Sequence, residues 1–329
     1  MRKAILLLPP WSRDRIYSPE AIAEISRLVA LTDCGDSVGD LDALKPVLAD
    51  AEIIITGWGM MTLDAGFLLA APNLEAVIYG AGSVRYFLTD AFWERGILLT
   101  SAWAANAVPV VEYTLAAITF GLRRALQAAA LTRRAGTFKV PPDVRGLYGA
   151  KVGVIGAGMV GAGVLGRLKA YDVETYCCDP YLCEDRALKL GTAPMGLDEM
   201  FLTCDVVTVH AASIPATEHM ISGRHLRSMK DGAVFINTAR GRIVREDEMI
   251  EVLQEGRIFA FIDVTDPEPP AAGNALYTLP NVFLTPHIAG ALGQDLRRNG
   301  AYVLDELRRF LEGRDAHYPI TKDMMEWMA

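Results

Sequence analysis

The sequence predicts an α/β protein of two domains, each a parallel β-sheet flanked by helices, with a cleft between the domains. Its 329 residues are too many for one ordinary hydrophobic core. Short apolar runs alternate with helical patterns, and this alternation is typical of βαβ units that build a parallel sheet. A segment rich in proline and glycine, residues 136–149, interrupts the alternation and resembles a linker.

The individual elements follow from these runs. In the first half, strands are predicted at residues 4–8, 52–57, 76–80 and 98–101, and helices at residues 19–29, 63–70 and 107–124. In the second half, six strands are predicted at residues 151–155, 174–178, 205–210, 233–238, 258–264 and 282–285. A last helical pattern, residues 294–312, has no strand after it, so we expect it to return to the first domain. This arrangement gives a discontinuous domain of residues 1–106 and 295–329 and a second domain of residues 107–294.

Composition excludes several classes of function. The 32 Lys and Arg residues against 40 Asp and Glu residues give a net charge of −8, and no basic block indicates nucleic-acid binding. The apolar run at residues 4–8 is shorter than the core of a secretory signal. The most apolar long stretch, residues 104–122, contains Asn106, Pro109 and Glu112, so a buried helix is favoured over a membrane span. We therefore expect a cytoplasmic protein.

The five cysteines form no CxxC pair and have no nearby set of Cys and His ligands. Cys177 and Cys178 fall in a predicted buried strand, where cysteine behaves as a small apolar side chain. We predict structural cysteines and no metal site.

A glycine motif follows the first strand of the second half and opens a helical pattern. Its residues are Gly156, Ala157, Gly158, Met159, Val160 and Gly161, in the order G-x-G-x-x-G. The glycines allow a tight turn, a close approach of a pyrophosphate to the backbone, and close packing of helix on strand. Asp179 ends the next strand, about twenty residues on, where a carboxylate binds an adenosine ribose. Residues 180–183 include no arginine for a 2′-phosphate, so the motif predicts a Rossmann-type site for NAD rather than NADP.

Three later strand ends carry ionisable groups, namely Arg240, Glu268 and His287. The carboxyl ends of parallel strands face the ligand site, so these groups are expected to meet around the nicotinamide. Arginine offers a rigid fork for a carboxylate, histidine passes a proton near neutral pH, and a neighbouring carboxylate favours the charged imidazole and orients its ring. These residue types fit the reduction of a 2-oxo acid.

The combined motifs resemble the D-2-hydroxyacid dehydrogenase family. They are the glycine turn, Asn237-Thr238-Ala239-Arg240-Gly241, Asp263-Val264 with Asp266-Pro267-Glu268-Pro269, and Thr285-Pro286-His287-Ile288-Ala289-Gly290. The resemblance implies two Rossmann/flavodoxin-like domains and an NAD-dependent oxidoreductase that acts on C2 of a small 2-oxo or D-2-hydroxy acid. It implies a homodimer formed through the cofactor domain, with residues 133–148 reaching across to the partner.

The same resemblance implies the roles of single residues. Arg240 would bind the substrate carboxylate, His287 would be the general acid/base, and Glu268 would be its partner. The backbone of Ala81 and Gly82 would hold the substrate carboxylate. Further contacts to the cofactor are implied for a set of residues near the strand ends: His210, Thr238, Ala239, Asp263, His287 and Gly290.

Departures from the family leave the substrate open. Ser83, Val84, Arg85 and Tyr86 follow the first glycines in place of the usual continuation, and Trp103 stands where a small residue is common. Trp58 and Trp103 are candidates for the substrate pocket, and Arg85 for a second anionic group, although packing or surface roles explain them equally well.

Other functions remain open beside the enzyme. A formate dehydrogenase pairs its histidine with a glutamine, so Glu268 argues against that activity. A phosphite-type dehydrogenase is not excluded. A binding module that senses NAD(H), as in corepressors, has the same fold and retains the same residues.

Overall fold

The computed structural model describes residues 1–328 and divides the chain into two compact units. The first unit comprises Met1–Asn106 together with the segment that begins at Ala291. The second unit is Ala107–Gly290.

The strands, in chain order, are β1 (Lys3–Leu6), β2 (Ala30–Asp33), β3 (Ile53–Thr56), β4 (Ala76–Tyr79), β5 (Leu98–Ser101), β6 (Ala150–Ile155), β7 (Val173–Cys178), β8 (Ala193–Pro194), β9 (Val206–Val209), β10 (Val234–Asn237), β11 (Phe259–Ile262) and β12 (Val282–Leu284). The helices are α1 (Pro10–Ile16), α2 (Pro19–Leu28), α3 (Leu41–Leu48), α4 (Ala65–Ala70), α5 (Asp90–Glu94), α6 (Trp103–Leu122), α7 (Ala125–Ala135), α8 (Met159–Leu168), α9 (Glu184–Leu190), α10 (Leu197–Thr203), α11 (Gly223–Ser228), α12 (Glu246–Gln254) and α13 (Asp295–Leu311).

The first unit is built on a five-stranded parallel sheet in the order β2-β1-β3-β4-β5. Its central strand β3 is a run of three isoleucines buried on both faces, as a covered parallel sheet requires. The long C-terminal helix α13 packs on this sheet through Val303 and Leu307, which share a core cluster with Leu6 and Ile55. The segment that begins at Ala291 is tied to this unit as well, because the Ala291 N–H donates to Asn106 Oδ1 at 3.0 Å.

The second unit is built on a seven-stranded parallel sheet in the order β12-β11-β10-β9-β6-β7-β8. From β6 the chain adds β7 and then the edge strand β8. It then crosses back and adds β9 on the other side of β6. Ligands of open α/β sheets bind beyond the carboxyl ends of the strands at such a reversal. The register aligns Asn237, Ile262 and Leu284 at the ends of β10, β11 and β12, so the loops that follow these strands start side by side.

Helix α6 is long and apolar enough to cross a membrane by length and composition, with a mean hydropathy of 1.3. Of the 18-residue window that meets this criterion, 56% is buried inside the protein. Val111, Ile118 and Leu122 of this helix share a core cluster with Val152 and Val234 of the second sheet. Packing in a protein core therefore accounts for the apolar character of α6.

The α/β fold class with two parallel sheets is confirmed. Sequence periodicity missed β2, a largely exposed edge strand, and β8, which has only two residues. The supposed linker at residues 136–149 lies inside the second unit rather than at a boundary. It is held there by the buried Arg124, whose Nε donates to Asp143 at 2.8 Å, and by the Arg145 N–H, which donates to the Leu122 carbonyl.

Candidate active site

A histidine and a glutamate pair at the carboxyl end of the second sheet. His287 follows β12 and Glu268 follows β11, its neighbour in the sheet. His287 Nδ1 lies 2.6 Å from Glu268 Oε1, and both side chains are a little over 40% exposed. The carboxylate orients the imidazole ring. Because Nδ1 is engaged by Glu268, Nε2 is the ring atom available to a substrate.

Arg240 follows β10, the next strand of the same sheet, and its guanidinium is largely uncommitted. Among the described residues, only the Ala239 carbonyl accepts a hydrogen bond from it, at Nη1 and 2.6 Å. Asn237 shapes the turn, because its Nδ2 donates to the Arg240 carbonyl and its Oδ1 accepts from the Ala239 N–H. Burial lowers the pKa of Arg240, and the nearby negative charge of Glu268 opposes this effect. An arginine remains charged under such conditions, so the free part of the guanidinium can bind a carboxylate.

Asp263 holds the turn that presents His287. Its Oδ1 accepts from the Thr285 hydroxyl at 2.6 Å and from the Ile288 N–H at 2.8 Å, and its Oδ2 accepts from the Ala289 N–H at 2.9 Å. The His287 N–H donates to the Asp263 carbonyl, and His287 itself has a φ of +53°. This carboxylate is 2% exposed. It therefore holds the turn, a role that an aspartate at a strand end often has, while one acceptor position of Oδ2 is not used by the described protein groups.

The glycine turn lies between β6 and α8, as the motif predicts. Gly156 has a φ of +91°, and a Cβ there would lie 2.7 Å from the Ala211 nitrogen. A Cβ at Gly161 would collide with the Gly156 carbonyl oxygen, whereas one at Gly158 would meet nothing within 4 Å. The N–H groups of Met159 and Val160 open α8 and have no acceptor within the helix. An open backbone at Gly158 beside free N–H groups fits a pyrophosphate.

Asp179 lies beside this turn, where the ribose-binding carboxylate was predicted. Its Oδ2 accepts from the Ala157 N–H at 2.6 Å, and its Oδ1 accepts from the Tyr181 N–H at 2.7 Å. Each oxygen keeps one acceptor site for a ribose hydroxyl. Arg186 of α9 donates to the Ala157 carbonyl, so the two polar groups of Ala157 are both held by side chains.

Four other predicted cofactor residues follow the strands of the second sheet. His210 follows β9, and its Nε2 lies 3.0 Å from the Thr208 hydroxyl. Burial lowers the pKa of His210 to about 3, so this imidazole is neutral at physiological pH. Thr238 is buried after β10, and Ala239 is half-buried beside it. Gly290 is the last residue of the second unit.

The predicted substrate residues of the first unit follow three neighbouring strands. Ala81 and Gly82 come after β4, and their carbonyls accept from the Ser101 hydroxyl at 2.8 and 2.6 Å. Within the described residues, no protein acceptor engages the N–H groups of Ala81 and Gly82. These N–H groups are thus free to bind an anion. Trp58 and Trp103 follow β3 and β5, and both are half-buried.

Three side chains that shape the site were not predicted from sequence. Glu246 accepts from the Asp266 N–H at 2.8 Å and from Asn274 Nδ2 at 3.3 Å, which restrains the loop that carries Glu268; burial raises its pKa. Tyr113 lies 2.8 Å from the Thr285 hydroxyl. Arg186 was not predicted because it lies seven residues beyond Asp179, in the first turn of α9, and not among residues 180–183 that directly follow the strand end.

Comparison with known proteins agrees with this geometry. Residues 115–289 match the model of the NAD binding domain of D-isomer specific 2-hydroxyacid dehydrogenases. The chain is 29% identical over 312 residues to D-3-phosphoglycerate dehydrogenase from Methanocaldococcus jannaschii, covering 94% of this chain and 57% of that protein. It is 30% identical over 285 residues to glyoxylate reductase from Korarchaeum cryptofilum, covering 84% of this chain and 82% of that protein.

A solved structure extends the comparison to nearly the whole chain. D-mandelate dehydrogenase from Rhodotorula graminis superposes with a TM-score of 0.82 at 22% identity and covers 98% of each chain, which shows the common fold. The chain spans about half the length of several phosphoglycerate dehydrogenases that it matches, for example 48% of the Archaeoglobus fulgidus protein. The matched NAD binding domain and these relatives establish that the chain belongs to the D-isomer specific 2-hydroxyacid dehydrogenase family.

Proposed function

We propose that the protein is an NAD-dependent oxidoreductase that interconverts a 2-oxo acid and its D-2-hydroxy acid. The observation that carries this proposal is the His287–Glu268 pair at 2.6 Å, next to a strand end where Arg240 has a largely free guanidinium. A proton donor beside an open carboxylate-binding fork is what reduction of a 2-oxo acid needs.

Each residue has a defined part in the reduction. Arg240 binds the substrate carboxylate through its unengaged N–H groups and orients C2. His287 Nε2 donates a proton to the carbonyl oxygen of the substrate, and Glu268 stabilises the charged ring before the transfer. When bound, NADH supplies the hydride that C2 accepts. In the oxidative direction, His287 accepts the proton of the 2-hydroxyl group.

The cofactor would be held by the glycine turn and its neighbours. The N–H groups at the start of α8 bind the pyrophosphate, and Asp179 binds the adenosine ribose. The free acceptor site of Asp263 suits a donor on the nicotinamide amide. We assign the second unit as the dinucleotide-binding domain and the first unit, with the free N–H groups of Ala81 and Gly82, as the substrate domain.

The test is NADH oxidation with glyoxylate, pyruvate, hydroxypyruvate and bulkier 2-oxo acids. We expect turnover with at least one of them, and His287→Ala should lower kcat by about 10²- to 10⁴-fold while NADH binding, followed by fluorescence, is retained. Tight NADH binding with no turnover of any acid would contradict the proposal and favour an NAD(H) sensor. Near-wild-type turnover by His287→Ala would remove this residue from the chemistry.

We further propose a homodimer in the cytoplasm. The segment around α7 and the chain after it exposes large apolar side chains, with Phe138 93%, Val140 81% and Tyr148 90% exposed. Such a cluster is typical of a surface that a second copy covers. Light scattering should give twice the chain mass, and Phe138→Glu should shift the protein toward monomer. A wild-type monomer at micromolar concentration would contradict the dimer. The burial of α6 supports the cytoplasmic location.

A further inference from the structure

The strand ends of the first unit form a surface rich in aromatic and methionine side chains. The register aligns Thr56, Tyr79 and Ser101, so the chains that follow β3, β4 and β5 leave the sheet at one edge. Trp58 follows β3, and Trp103 follows β5. Both pack against the core cluster that contains Ala81, the residue that begins the β4 loop with the free N–H groups. A carboxylate bound at these N–H groups would thus have two indole rings in the neighbouring segments.

The C-terminal segment adds to this surface. Met324, Met325 and Met328 pack, half-buried, against the same core cluster as the two tryptophans. The segment is attached at its start by the Lys322 ammonium, which lies 2.8 Å from Asp90 Oδ1. Methionine is flexible and polarizable, so it adapts to apolar ligands of irregular shape.

Arg85 is the only cation in the three segments that follow these strands, residues 57–63, 80–87 and 102–106. Its Nε donates to the Met328 carbonyl at 2.7 Å, and its Nη2 donates to the Met325 carbonyl. The guanidinium is therefore used to hold the C-terminal segment. The predicted contact of Arg85 with a second anionic group of the substrate is not supported by this arrangement.

Arg85, the one cation of these segments, already donates to two carbonyls of the C-terminal segment, so a phosphorylated substrate would find no second cation in them. Placing a phosphate or a second carboxylate beside indole and methionine side chains is unfavourable unless a cation compensates. An apolar group would be stabilised there in proportion to the area that it buries. These three segments therefore favour an apolar substrate side chain over a phosphorylated one.

We propose that the substrate is a 2-oxo acid with a large apolar side chain and that this side chain lies against Trp58 and Trp103. Residues 321–328 complete the apolar surface, and their carbonyl groups bind the guanidinium of Arg85 so that it does not face the substrate. This inference rests on the proposed function and narrows its substrate class. Trp58 and Trp103 are specificity-determining residues in this view, and Arg85 is a positioning residue for the C-terminal segment.

The first experiment compares kcat/KM of the wild-type protein for five acids: phenylpyruvate, 4-methyl-2-oxopentanoate, pyruvate, glyoxylate and 3-phosphohydroxypyruvate. One methylene in an apolar pocket changes kcat/KM by about 10- to 200-fold. We therefore expect phenylpyruvate or 4-methyl-2-oxopentanoate to exceed glyoxylate by at least about tenfold. A preference for glyoxylate or for 3-phosphohydroxypyruvate would overturn the substrate class but leave the proposed function intact. Inactivity with all five would instead count against the proposed function.

The second experiment tests the residues. Trp58→Ala should lower kcat/KM for phenylpyruvate by at least about tenfold more than it lowers kcat/KM for glyoxylate. Trp93→Ala is the matched control, because Trp93 is also a half-buried tryptophan of this core cluster but lies on α5. Trp93→Ala should leave the ratio of kcat/KM for phenylpyruvate to kcat/KM for glyoxylate unchanged. An equal loss for both acids in Trp58→Ala, or the same change of ratio in Trp93→Ala, would contradict the assignment.

The third experiment releases Arg85 by deleting residues 322–329. The deletion should reduce the preference for phenylpyruvate and raise kcat/KM for 3-phosphohydroxypyruvate, while NADH binding is retained. Arg85→Ala combined with the deletion should abolish the gain with the phosphorylated acid. If the deletion changes neither the preference for phenylpyruvate nor kcat/KM for 3-phosphohydroxypyruvate, the C-terminal segment does not contribute to specificity. The single substitution Arg85→Ala is a further check against a folding defect. Like the deletion, it should reduce the preference for phenylpyruvate, measured as kcat/KM relative to glyoxylate.

Discussion

Asp263→Asn gives the sharpest test of how the catalytic turn is built. The substitution keeps the size of the side chain but replaces one carboxylate oxygen by an NH₂ group. In the wild-type protein the two oxygens accept three hydrogen bonds, from the Thr285 hydroxyl and from the N–H groups of Ile288 and Ala289. Either orientation of the amide places its NH₂ group against at least one of these N–H groups. The variant therefore leaves a buried donor without an acceptor.

The expected magnitude follows from these contacts. A buried polar group left without its partner costs about 1–3 kcal/mol, and hydrogen bonds to a neutral acceptor are weaker than those to a charged one by about 1 kcal/mol. Together these terms give a loss of about 2–4 kcal/mol in the free energy of unfolding. For a unit of this size, each kcal/mol shifts Tm by about 2–4 °C. We expect Tm to fall by between about 5 and 15 °C.

The same change should displace the imidazole, because the turn that Asp263 holds carries His287. A misplacement of about 1 Å can lower the rate by roughly 10²-fold. Tm is measured by differential scanning fluorimetry, and kcat by NADH oxidation. The matched control is Asp266→Asn, a nearby aspartate with an exposed side chain whose Oδ2 lies 3.5 Å from Arg242 Nε. It should shift Tm by no more than about 1 °C.

Two outcomes would refute this reasoning. If Asp263→Asn retains both the Tm and the kcat of the wild-type protein, the hydrogen bonds of Asp263 do not stabilise the turn. If kcat falls while Tm is unchanged, Asp263 acts on the ligand alone and not on the structure around His287.

Three further predictions concern the other parts of the site. Arg240→Lys should raise KM for the 2-oxo acid by roughly tenfold or more, because an ammonium cannot make the bidentate contact, and an unchanged KM would exclude Arg240 from carboxylate binding. Gly161→Ala should abolish NADH binding or folding through the collision with the Gly156 carbonyl, while Gly166→Ala on the same helix, which meets nothing within 4 Å, should be tolerated. The half-buried His210 stays neutral until about pH 3 in the folded protein but takes up a proton near pH 6.5 when unfolded, so stability should fall as the pH falls below about 6.5. Chemical unfolding at pH 7 and pH 5 should show a smaller loss for His210→Gln than for the wild-type protein, and equal losses would contradict this origin.

The sequence alone predicted the repeated strand and helix pattern, the glycine turn and the three ionisable strand ends. It could do so because each of these signals is local. Gly156 needs its positive φ within the turn itself, Gly161 packs against the backbone of Gly156 five residues earlier, and Arg240, Glu268 and His287 each follow a recognisable apolar run. In a parallel sheet all such strand ends point to one edge, so neighbouring strands were enough to place the groups together.

Tertiary structure decided what each of these groups is bonded to. The three hydrogen bonds of Asp263 join residues more than twenty positions apart, and no period in the sequence reports them. Arg85 looked like a candidate ligand for a substrate anion, yet residues 240 or more positions away occupy its guanidinium. A charged side chain satisfies its hydrogen bonds with whatever acceptor the fold places beside it. Sequence can therefore predict which chemistry is present, and only the packed chain determines which of those groups are free to act on a ligand.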